Sequence, residues 1–313
     1  MTKYVVTGGA GFIGSTLVRA LLTDGASRVS VVDNLLSGKE ENLAEVRGSL
    51  DLHKVDIRDY DALAAVVRGA DVVFHLAAIP SVPRSISDPV PSHEINIDGS
   101  FNVFRACAEG GAGRVVYAAS SSAYGDSDVL PKVETMPPRP KSPYAAQKLM
   151  GEYYASVFND CFGLECVSLR FFNVYGPRQD PSSPYSGVLS VFMTALLERR
   201  APTIYGDGEQ SRDFTYVEDV AGLCLKAARA AGVGGKLYNA GNGNRDTLNR
   251  IWSLLQGFEG VHIDPVYDAP RAGDVRHSQA DTTAAVRDLG HAPRFTLEDG
   301  LRRTLEWYRA QSK

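Results

Sequence analysis

The chain has 313 residues, of which 44% are hydrophobic and 22% charged, and a formal net charge of −4. This composition is typical of a globular protein, and the length suits one α/β domain with a smaller appendage. The scattered basic residues argue against a nucleic acid or an anionic membrane as a partner, and no apolar run approaches the roughly 20 residues of a membrane-spanning helix.

The cysteines and histidines indicate neither a metal site nor a disulfide framework. Four cysteines and six histidines are present, and none of them has the spacing of metal ligands. A strand begins within the first residues and leaves no room for a signal peptide. We therefore expect a cytoplasmic protein with reduced thiols.

The first stretch of the chain combines a strand, a glycine turn and a helix. Residues 4–6 form an uncharged β-branched and aromatic run, which predicts a buried parallel strand. Gly8, Gly11 and Gly14 follow at a spacing of three, and residues 9–14 also match G-x-G-x-x-G. Apolar residues then recur at helical spacing, so the order is the one that a dinucleotide site requires. The free N–H groups at the start of the helix would face a pyrophosphate.

The second strand, residues 28–33, ends at Asp33, about 20 residues after the glycine turn, as this type of site requires. A carboxylate there can accept hydrogen bonds from the adenosine ribose and would repel a 2′-phosphate. This favours NAD over NADP. The plainer alternative is that Asp33 caps a turn at the start of a loop.

Strands and helices continue to alternate up to about residue 175. This alternation predicts an α/β fold with a doubly wound parallel sheet of the Rossmann type. We assign 1–175 to an NAD-binding domain, joined by about 214–240, and 176–313 mainly to a smaller interleaved substrate-binding region. Further strands are predicted at 50–55, 72–76, 114–119, 164–171 and 236–240. Helices are predicted near 60–68, 94–109, 144–161, 188–199, 217–231, 247–256, 282–289 and 296–310.

Two places on the carboxyl edge of the predicted sheet suit a cofactor. Asp56 follows the third strand, and Ala77 and Ala78 follow the fourth. Ligands of such folds bind at this edge. Small residues at 77 and 78 would let a cofactor pass close to the backbone.

A tyrosine and a lysine four residues apart are the main candidates for catalysis. Tyr144 and Lys148 would share one face of a helix that begins at Pro143, with Ser142 as its cap. A tyrosine pKa near 10 is too high for a base at neutral pH. The Lys148 ammonium and the positive nicotinamide ring of bound NAD would both favour the phenolate. The alternative is a surface Tyr-Lys pair without a catalytic role.

A serine cluster, residues 120–122, follows the strand at 114–119. A serine at this edge can hydrogen-bond a substrate hydroxyl and relay its proton to the Tyr144 phenolate. A serine run can also merely satisfy backbone groups in a loop, and taken alone this is the simpler interpretation.

Together, these motifs resemble the extended short-chain dehydrogenase/reductase superfamily. Residues 169–177, 206–214 and 270–274 further resemble its nucleotide-sugar branch, so the likeness runs along the whole chain. The resemblance implies a UDP-hexose 4-epimerase with tightly bound NAD. The implied cofactor-binding residues are Gly8, Gly11, Phe12, Ile13, Gly14, Asp33, Asn34, Asp56, Ile57, Leu76, Ala77, Ala78, Tyr144 and Lys148.

The resemblance also assigns roles around the sugar. Tyr144 would be the base on the 4-hydroxyl, Lys148 would lower its pKa and hold the nicotinamide ribose, and Ser120 would bridge hydroxyl and phenolate, with Ser122 beside it. Asn173, Arg212, Arg271 and Asp274 match positions that hold UDP, although the two arginines could instead form surface ion pairs. The full implied substrate-binding set is Ser81, Arg84, Ser122, Asn173, Val188, Tyr205, Arg212, Arg271, Asp274 and Ser278.

Two comparisons within the family narrow the reaction and the sugar. Related dehydratases carry acidic residues where this chain has Ser121 and Ser122, so the chain lacks the acid–base groups for elimination. The stretch 78–85 resembles epimerases of UDP-N-acetylhexosamines, and Ser278 matches a position where a tyrosine would exclude the N-acetyl group. We expect interconversion of UDP-GlcNAc and UDP-GalNAc, with UDP-glucose and UDP-galactose also accepted. UDP-glucuronate is an alternative, since Arg84 could face a carboxylate.

Other classes of function stay open, as does the assembly. The alternatives are an NAD-dependent nucleotide-sugar oxidoreductase with exchangeable cofactor and a non-catalytic NAD-binding module. Family members commonly pair through the helices that correspond to 94–109 and 144–161, so we expect a homodimer. The apolar residues that would allow it are Phe101, Val103, Phe104, Tyr153, Tyr154, Val157 and Phe158, although core packing is the simpler role for any one of them.

Overall fold

A seven-stranded parallel sheet is the centre of the fold. The computed structural model describes residues 2–180, 187–270 and 275–311. Its strands are β1 (Tyr4–Thr7), β2 (Val29–Val32), β3 (Leu50–His53), β4 (Val72–His75), β5 (Arg114–Ser120), β6 (Glu165–Phe171), β7 (Asn173–Tyr175), β8 (Thr203–Tyr205), β9 (Ser211–Arg212), β10 (Phe214–Tyr216), β11 (Leu237–Ala240), β12 (Asp246–Thr247) and β13 (Val266–Asp268). The large sheet has the order β11-β6-β5-β4-β1-β2-β3. This confirms the predicted Rossmann-type sheet, including the return of residues 236–240 to it.

The helices lie between these strands. They are α1 (Phe12–Thr23), α2 (Tyr60–Val67), α3 (Val82–Ser87), α4 (Pro89–His93), α5 (Ser100–Glu109), α6 (Pro143–Phe162), α7 (Val188–Leu197), α8 (Val217–Arg229), α9 (Leu248–Glu259), α10 (Thr283–Leu289) and α11 (Leu297–Gln311). Two 3-10 helices, Glu40–Ser49 and Ser121–Tyr124, and a π-helical turn, Glu94–Gly99, complete the described part of the chain.

Burial explains why this sequence forms a two-faced sheet. Successive strand residues point to opposite faces, so Val6 packs into the core on one face while Val5 packs into the core on the other. The first core includes apolar residues of α1 and α8, and the second includes those of α2, α5 and α6. Strands covered on both faces need continuous apolar runs, as the sequence has here.

The second half of the chain has a core of its own. Phe192 of α7, Trp252 of α9 and Leu301 of α11 belong to one buried cluster. Three two-stranded sheets, β7 with β10, β9 with β12 and β8 with β13, lie in this half. These strands were not predicted, because strands of two or three residues are too short to show an alternating pattern in the sequence.

The predicted helix near 94–109 is more complex than expected. It is divided into the π-helical turn and α5, with α4 directly before it. In the π-helical turn, Asn96 exchanges hydrogen bonds with the backbone of Ile79 and donates to Gln147 of α6. A buried amide that makes three hydrogen bonds stabilises an irregular helical turn around it. The spacing of apolar residues in the sequence does not reveal such a turn. Within the three described ranges, no helix is long and apolar enough to cross a bilayer.

Candidate active site

The glycine turn between β1 and α1 has room for glycine alone at two of its positions. Gly8 has a φ of 70°, and a Cβ atom there would lie 2.7 Å from the backbone nitrogen of Ala77. A Cβ atom on Gly14 would lie 2.1 Å from the carbonyl oxygen of Gly8. These contacts keep the turn tight and bring it against the residues that follow β4.

The first turn of α1 is suited to an anion. Gly11 is its N-cap residue, and no side chain accepts a hydrogen bond there. The amide groups of Phe12, Ile13 and Gly14 therefore keep their N–H donors at the positive end of the helix. A pyrophosphate is the kind of group that such an N-terminus binds.

Asp33 closes a turn, which is the plainer of the two roles considered from the sequence, and its role toward a ribose stays a prediction. Its buried carboxylate accepts hydrogen bonds from the backbone N–H groups of Ala10 at 2.9 Å and Leu35 at 2.8 Å. It thus closes a turn and joins β2 to the glycine turn. A carboxylate has about four acceptor sites, so capacity for a ribose hydroxyl is left. Burial raises the pKa of Asp33, and the two backbone hydrogen bonds oppose that shift.

The carboxylate of Asp56 is already occupied. Oδ1 accepts from the backbone and Nε of Arg58, and Oδ2 accepts from Nη2 of Arg58 and from Asn34. The hydrogen bonds from Arg58 lower the pKa of Asp56 to about 2, against the effect of burial. All four acceptor sites are used. Asp56 and Asn34 therefore stabilise each other and the loop after β3.

The other predicted cofactor residues lie close to this turn. Leu76, Ala77 and Ala78 follow β4 and are half-buried, and the backbone nitrogen of Ala77 contacts the hydroxyl of Thr7 at 3.3 Å. Ile57 is buried, and a Cβ atom on Gly99 would lie 2.7 Å from its side chain. The structure thus brings 76–78 to the glycine turn and uses Ile57 in packing.

Tyr144 and Lys148 lie one turn apart at the start of α6. Pro143 is the first helical residue, and the Ser142 side chain caps the helix by accepting from the N–H of Ala145 at 3.2 Å, as predicted. Lys148 is buried and Tyr144 is half-buried, so the alternative of a surface pair is wrong.

Burial and a hydrogen bond shift the pKa of the Tyr144 phenol in opposite directions in the chain without NAD. Burial raises the pKa of Tyr144, and a hydrogen bond with Ser120 opposes the shift. Burial also lowers the pKa of Lys148 to about 8, while Glu152 opposes this. Lys148 Nζ donates to the carbonyl oxygen of Ala118 at 2.8 Å. The predicted lowering of the phenol pKa involves the nicotinamide ring of bound NAD as well as Lys148, and it stays a prediction; in the chain without NAD, desolvation of the phenol has the largest effect.

The serine cluster combines a structural and a chemical role. Ser120 caps the 3-10 helix by accepting from the N–H of Ser122 at 3.2 Å, which is the simpler role considered above. The Ser122 hydroxyl also donates to the Ser120 hydroxyl at 2.8 Å. With the hydrogen bond between Ser120 and Tyr144, three hydroxyl groups form a chain that a proton can follow.

A short helix ends beside the tyrosine. The buried Ser85 of α3 accepts a hydrogen bond from the backbone N–H of Tyr144 at 3.1 Å. Ser81 is the N-cap of α3 and accepts from the N–H of Arg84 at 3.1 Å. The structure therefore brings Ser81 and Arg84 close to the start of α6. Sequence reasoning missed Ser85, because nothing in the sequence pairs it with residue 144.

In the second half of the chain, Arg212 and Ser278 come together. The backbone N–H of Ser278 donates to the carbonyl oxygen of Ser211 at 3.0 Å. The guanidinium of Arg212 donates through Nη1 to the carbonyl oxygen of Arg276 at 3.0 Å. The buried Asp213 accepts from the backbone N–H groups of Asn242, Gly243 and Ala280 and from the hydroxyl of Thr215. Asp213 was missed as a positioning residue, although it directly follows Arg212 in the sequence.

The remaining predicted substrate residues are spread over this half. Asn173 begins β7 beside β10, Val188 is the first residue of α7, and Tyr205 ends β8; all three are half-buried. Arg271 and Asp274 lie outside the described residues. Within the described ranges, no group of three His, Cys, Asp or Glu could hold a metal ion, and the four cysteines are free.

The fold and the site define a dinucleotide-binding enzyme of the Rossmann class. The sequence profile of the NAD dependent epimerase/dehydratase family matches residues 4–241. The chain belongs to this family. It is 39% identical over 315 residues to the UDP-glucose 4-epimerase of Mycolicibacterium smegmatis, and the similarity covers 99% of this chain and 100% of that relative.

Solved structures of two relatives have the same fold. The UDP-N-acetylglucosamine 4-epimerase of Methanobrevibacter ruminantium, in complex with UDP-N-acetylmuramic acid, is 40% identical, with a TM-score of 0.94 and 99% of each chain covered. The UDP-glucose 4-epimerase of Thermotoga maritima with UDP-glucose is 37% identical, with a TM-score of 0.94 and 100% of each chain covered.

NAD, the cofactor of this family, fits the residues that are present. The free amide donors of α1 suit its pyrophosphate, and the close approach of Gly8 to Ala77 leaves backbone rather than side chain at that surface. Asp33 has acceptor sites left for a ribose hydroxyl. Tyr144 and Lys148 lie at the carboxyl edge of the same sheet.

Proposed function

We propose that this protein is a UDP-hexose 4-epimerase. The observation that carries the proposal is the hydroxyl chain of Ser122, Ser120 and Tyr144, with the buried Lys148 one turn along α6. This is the arrangement of a single general base with a proton relay. The two structural relatives named above are 4-epimerases of UDP-sugars, which supports the same reaction here.

The residues of the chain would act in the following way. NAD, when bound, supplies a reversible hydride acceptor for C4 of the sugar. Tyr144 takes the proton of the 4-hydroxyl, directly or through Ser120, and Lys148 stabilises the phenolate by its charge. Once the 4-keto sugar has rotated and C4 takes the hydride back on its other face, Tyr144 would return the proton to the C4 oxygen.

Epimerisation is favoured over elimination by the 3-10 helix after β5. Its four residues, Ser121–Tyr124, contain no carboxylate. Loss of water from a sugar needs an additional acid and base, whereas oxidation and return of hydride at one carbon need one base. An NAD-dependent oxidoreductase with exchangeable cofactor is the rival that the experiment below also tests.

We further propose that residues 176–313 mainly bind the nucleotide sugar and that 1–175, with 214–240, binds NAD. Asn173 and Arg212, with Arg271 and Asp274, would hold UDP, and Val188 and Tyr205 would line the same region. A guanidinium can contact a pyrophosphate in a bidentate manner. The hydrogen bonds of Asp213 support this, because they hold the backbone around Arg212 and residue 280 in one place.

For the sugar, we propose UDP-GlcNAc and UDP-GalNAc, with UDP-glucose and UDP-galactose also accepted. Ser278 is small and half-buried beside Ser211 and Arg212, which leaves room for an N-acetyl group. A pocket that admits the larger sugar also admits the smaller one at the loss of a few contacts. UDP-glucuronate is the second candidate, because the Arg84 guanidinium forms no hydrogen bond or ion pair within the described part of the chain.

Proton NMR of the purified protein tests the reaction and the sugar together. UDP-GlcNAc, UDP-GalNAc, UDP-glucose and UDP-glucuronate are each incubated without added NAD. We expect the N-acetyl sugars to be converted to their 4-epimers by protein that carries its own NAD. Conversion of only the plain or uronic sugar would contradict the argument from Ser278, and no conversion of any sugar, even with NAD, would contradict the 4-epimerase.

We also propose a homodimer through α5 and α6. Val103, Phe104 and Phe158 are core residues, whereas Phe101 is 38% and Tyr153 52% exposed on the outer surface of the two helices. Val157 and Phe162 continue this apolar surface. Sedimentation equilibrium should give twice the chain mass, and a monomer at micromolar concentration would contradict the proposal.

A further inference from the structure

A buried ion pair lies beside the catalytic lysine. Arg170 of β6 donates to Glu152 of α6 through Nε at 2.9 Å and through Nη2 at 2.7 Å. The side chains are only 3% and 7% exposed. Arg170 Nη1 is buried and has no hydrogen-bond partner within the described residues. Such pairs cost desolvation free energy and add little to stability, so a role beyond stability should be sought.

Glu152 lies on the same face of α6 as Tyr144 and Lys148. Tyr144, Lys148 and Glu152 follow each other at intervals of four residues, so they lie along one face of α6. The other titratable groups that act electrostatically on this face are His75 of β4 and Tyr117 of β5. His75 is neutral, because burial and the nearby Lys148 lower its pKa to about 3. Glu152 is therefore the carboxylate that faces Lys148 within the described residues.

Arg170 also contacts the element that carries the serines. Its guanidinium lies 4.4 Å from the centre of the Tyr124 ring, at the end of the 3-10 helix that Ser120 caps. On the sheet, Arg170 pairs with Ala119, the residue before Ser120. The Tyr124 hydroxyl in turn donates to Asn239 of β11 at 2.6 Å.

We propose that Glu152 and Arg170 are positioning residues for the reaction: they hold the face of α6 with Tyr144 and Lys148 against the serine turn, and they keep a negative charge next to Lys148. Neither side chain touches the substrate in this role. Glu152 acts by favouring the charged form of Lys148. Arg170 acts by holding Tyr124, and with it Ser120, in position. The inference deepens the proposed function and rests on it for its activity readouts.

The first test is Glu152→Gln, which keeps the shape and removes the charge. The pKa of Lys148 is about 8, and Glu152 raises it, so without Glu152 it should fall and leave a larger share of the molecules uncharged at pH 8. We expect kcat at pH 8 to fall roughly fivefold to tenfold, with the alkaline limb of the kcat profile moved to lower pH and KM unchanged. An unchanged profile would overturn the proposal.

The matched control is Glu165→Gln. Glu165 pairs with Arg114 of β5, and Glu165 lies on β6, the strand of Arg170, at its other end. Its loss should leave kcat and its pH dependence as in the wild type. A loss equal to that of Glu152→Gln would attribute the effect to the sheet in general and overturn the proposal.

A double variant separates positioning from stability. In Glu152→Met with Arg170→Met, apolar side chains of similar length replace the pair, and we expect a thermal midpoint close to that of the wild type. The kcat value should stay reduced and the alkaline limb shifted. Wild-type kcat and pH profile in this variant would mean that the pair is merely structural.

A readout that needs no turnover completes the test. With lysine labelled with ¹³C at Cε, the Lys148 resonance, identified by its absence in Lys148→Arg, should titrate at lower pH in Glu152→Gln and unchanged in Glu165→Gln. An unshifted titration overturns the inference whatever the activity. A shifted titration in a protein that converts no UDP-hexose would support the coupling and contradict the proposed function, so the two failures are distinguishable.

Discussion

At the residue scale, the pKa of Tyr144, the proposed base, depends on two opposing effects. Burial raises its pKa, and the hydrogen bond with Ser120 opposes this. A nearby positive charge favours the phenolate, and Lys148 carries one only below its pKa of about 8. In the proposed reaction, proton transfer would therefore depend on the positive charges next to the phenol.

Replacing this phenol tests the assignment. In Tyr144→Phe, we expect kcat to fall by about 10²–10⁴-fold, the usual contribution of a general base, while bound NAD and the thermal midpoint stay close to those of the wild type. NAD is measured by its absorbance after denaturation, and turnover by NMR. Tyr153→Phe, on the exposed side of the same helix, is the control. Near-normal turnover in Tyr144→Phe would refute the role.

At the element scale, the turn that connects β1 to α1 has no space for a side chain at Gly14. A Cβ atom on Gly14 would meet the carbonyl oxygen of Gly8 and the Cα atom of Gly9, both of them backbone. The helix would have to move away from the strand. The amide donors at the start of α1 would move with it.

Gly14→Ala should therefore reduce the free energy of unfolding by about 1–3 kcal/mol and sharply lower the NAD content. Calorimetry and the absorbance of released NAD check both effects. Gly222→Ala is the matched control, since Gly222 lies inside α8 with open space at its Cβ position. That change should stabilise the protein by roughly 0.5–1 kcal/mol. Equal behaviour of the two variants would contradict the steric argument.

The local capping of α6 could be predicted from the sequence, whereas its contact with α3 could not. The serine cap and first-turn proline of α6 were readable because capping depends on neighbouring residues. The hydrogen bond of Ser85 to Tyr144 was not, because it joins α3 and α6 over a separation of 59 residues. The full occupation of Asp56 by Arg58 and Asn34 was likewise invisible in the sequence.

At the scale of the whole molecule, the region proposed to bind the substrate is built from segments that are far apart in the chain. Arg212 lies on β9, and the segment 276–278 runs alongside it. Asp213 ties residues 242, 243 and 280 to the same place. A ligand that binds here should stabilise the whole second half of the molecule.

We accordingly expect UDP alone to raise the thermal midpoint, by an amount that grows with its concentration. Arg212→Gln should weaken UDP binding by roughly 1.5–3 kcal/mol, the range of a hydrogen bond to a charged group, with bound NAD unaffected. Differential scanning fluorimetry against UDP concentration measures the effect. Arg287→Gln, at an exposed ion pair with Asp288 on α10, should respond as the wild type does. Undiminished UDP binding in Arg212→Gln would remove Arg212 from the site.

The sequence by itself determined the parallel sheet, the glycine turn and the pairing of Tyr144 with Lys148, because these depend on local periods and spacings within one strand–helix unit. The tertiary structure alone decided the pKa of Tyr144, the Glu152–Arg170 pair and the approach of Ser278 to Arg212. Burial and long-range pairing are set by which elements pack together, and a single sequence does not record them. The chemistry of this site accordingly arises where helices and strands from distant parts of the chain meet.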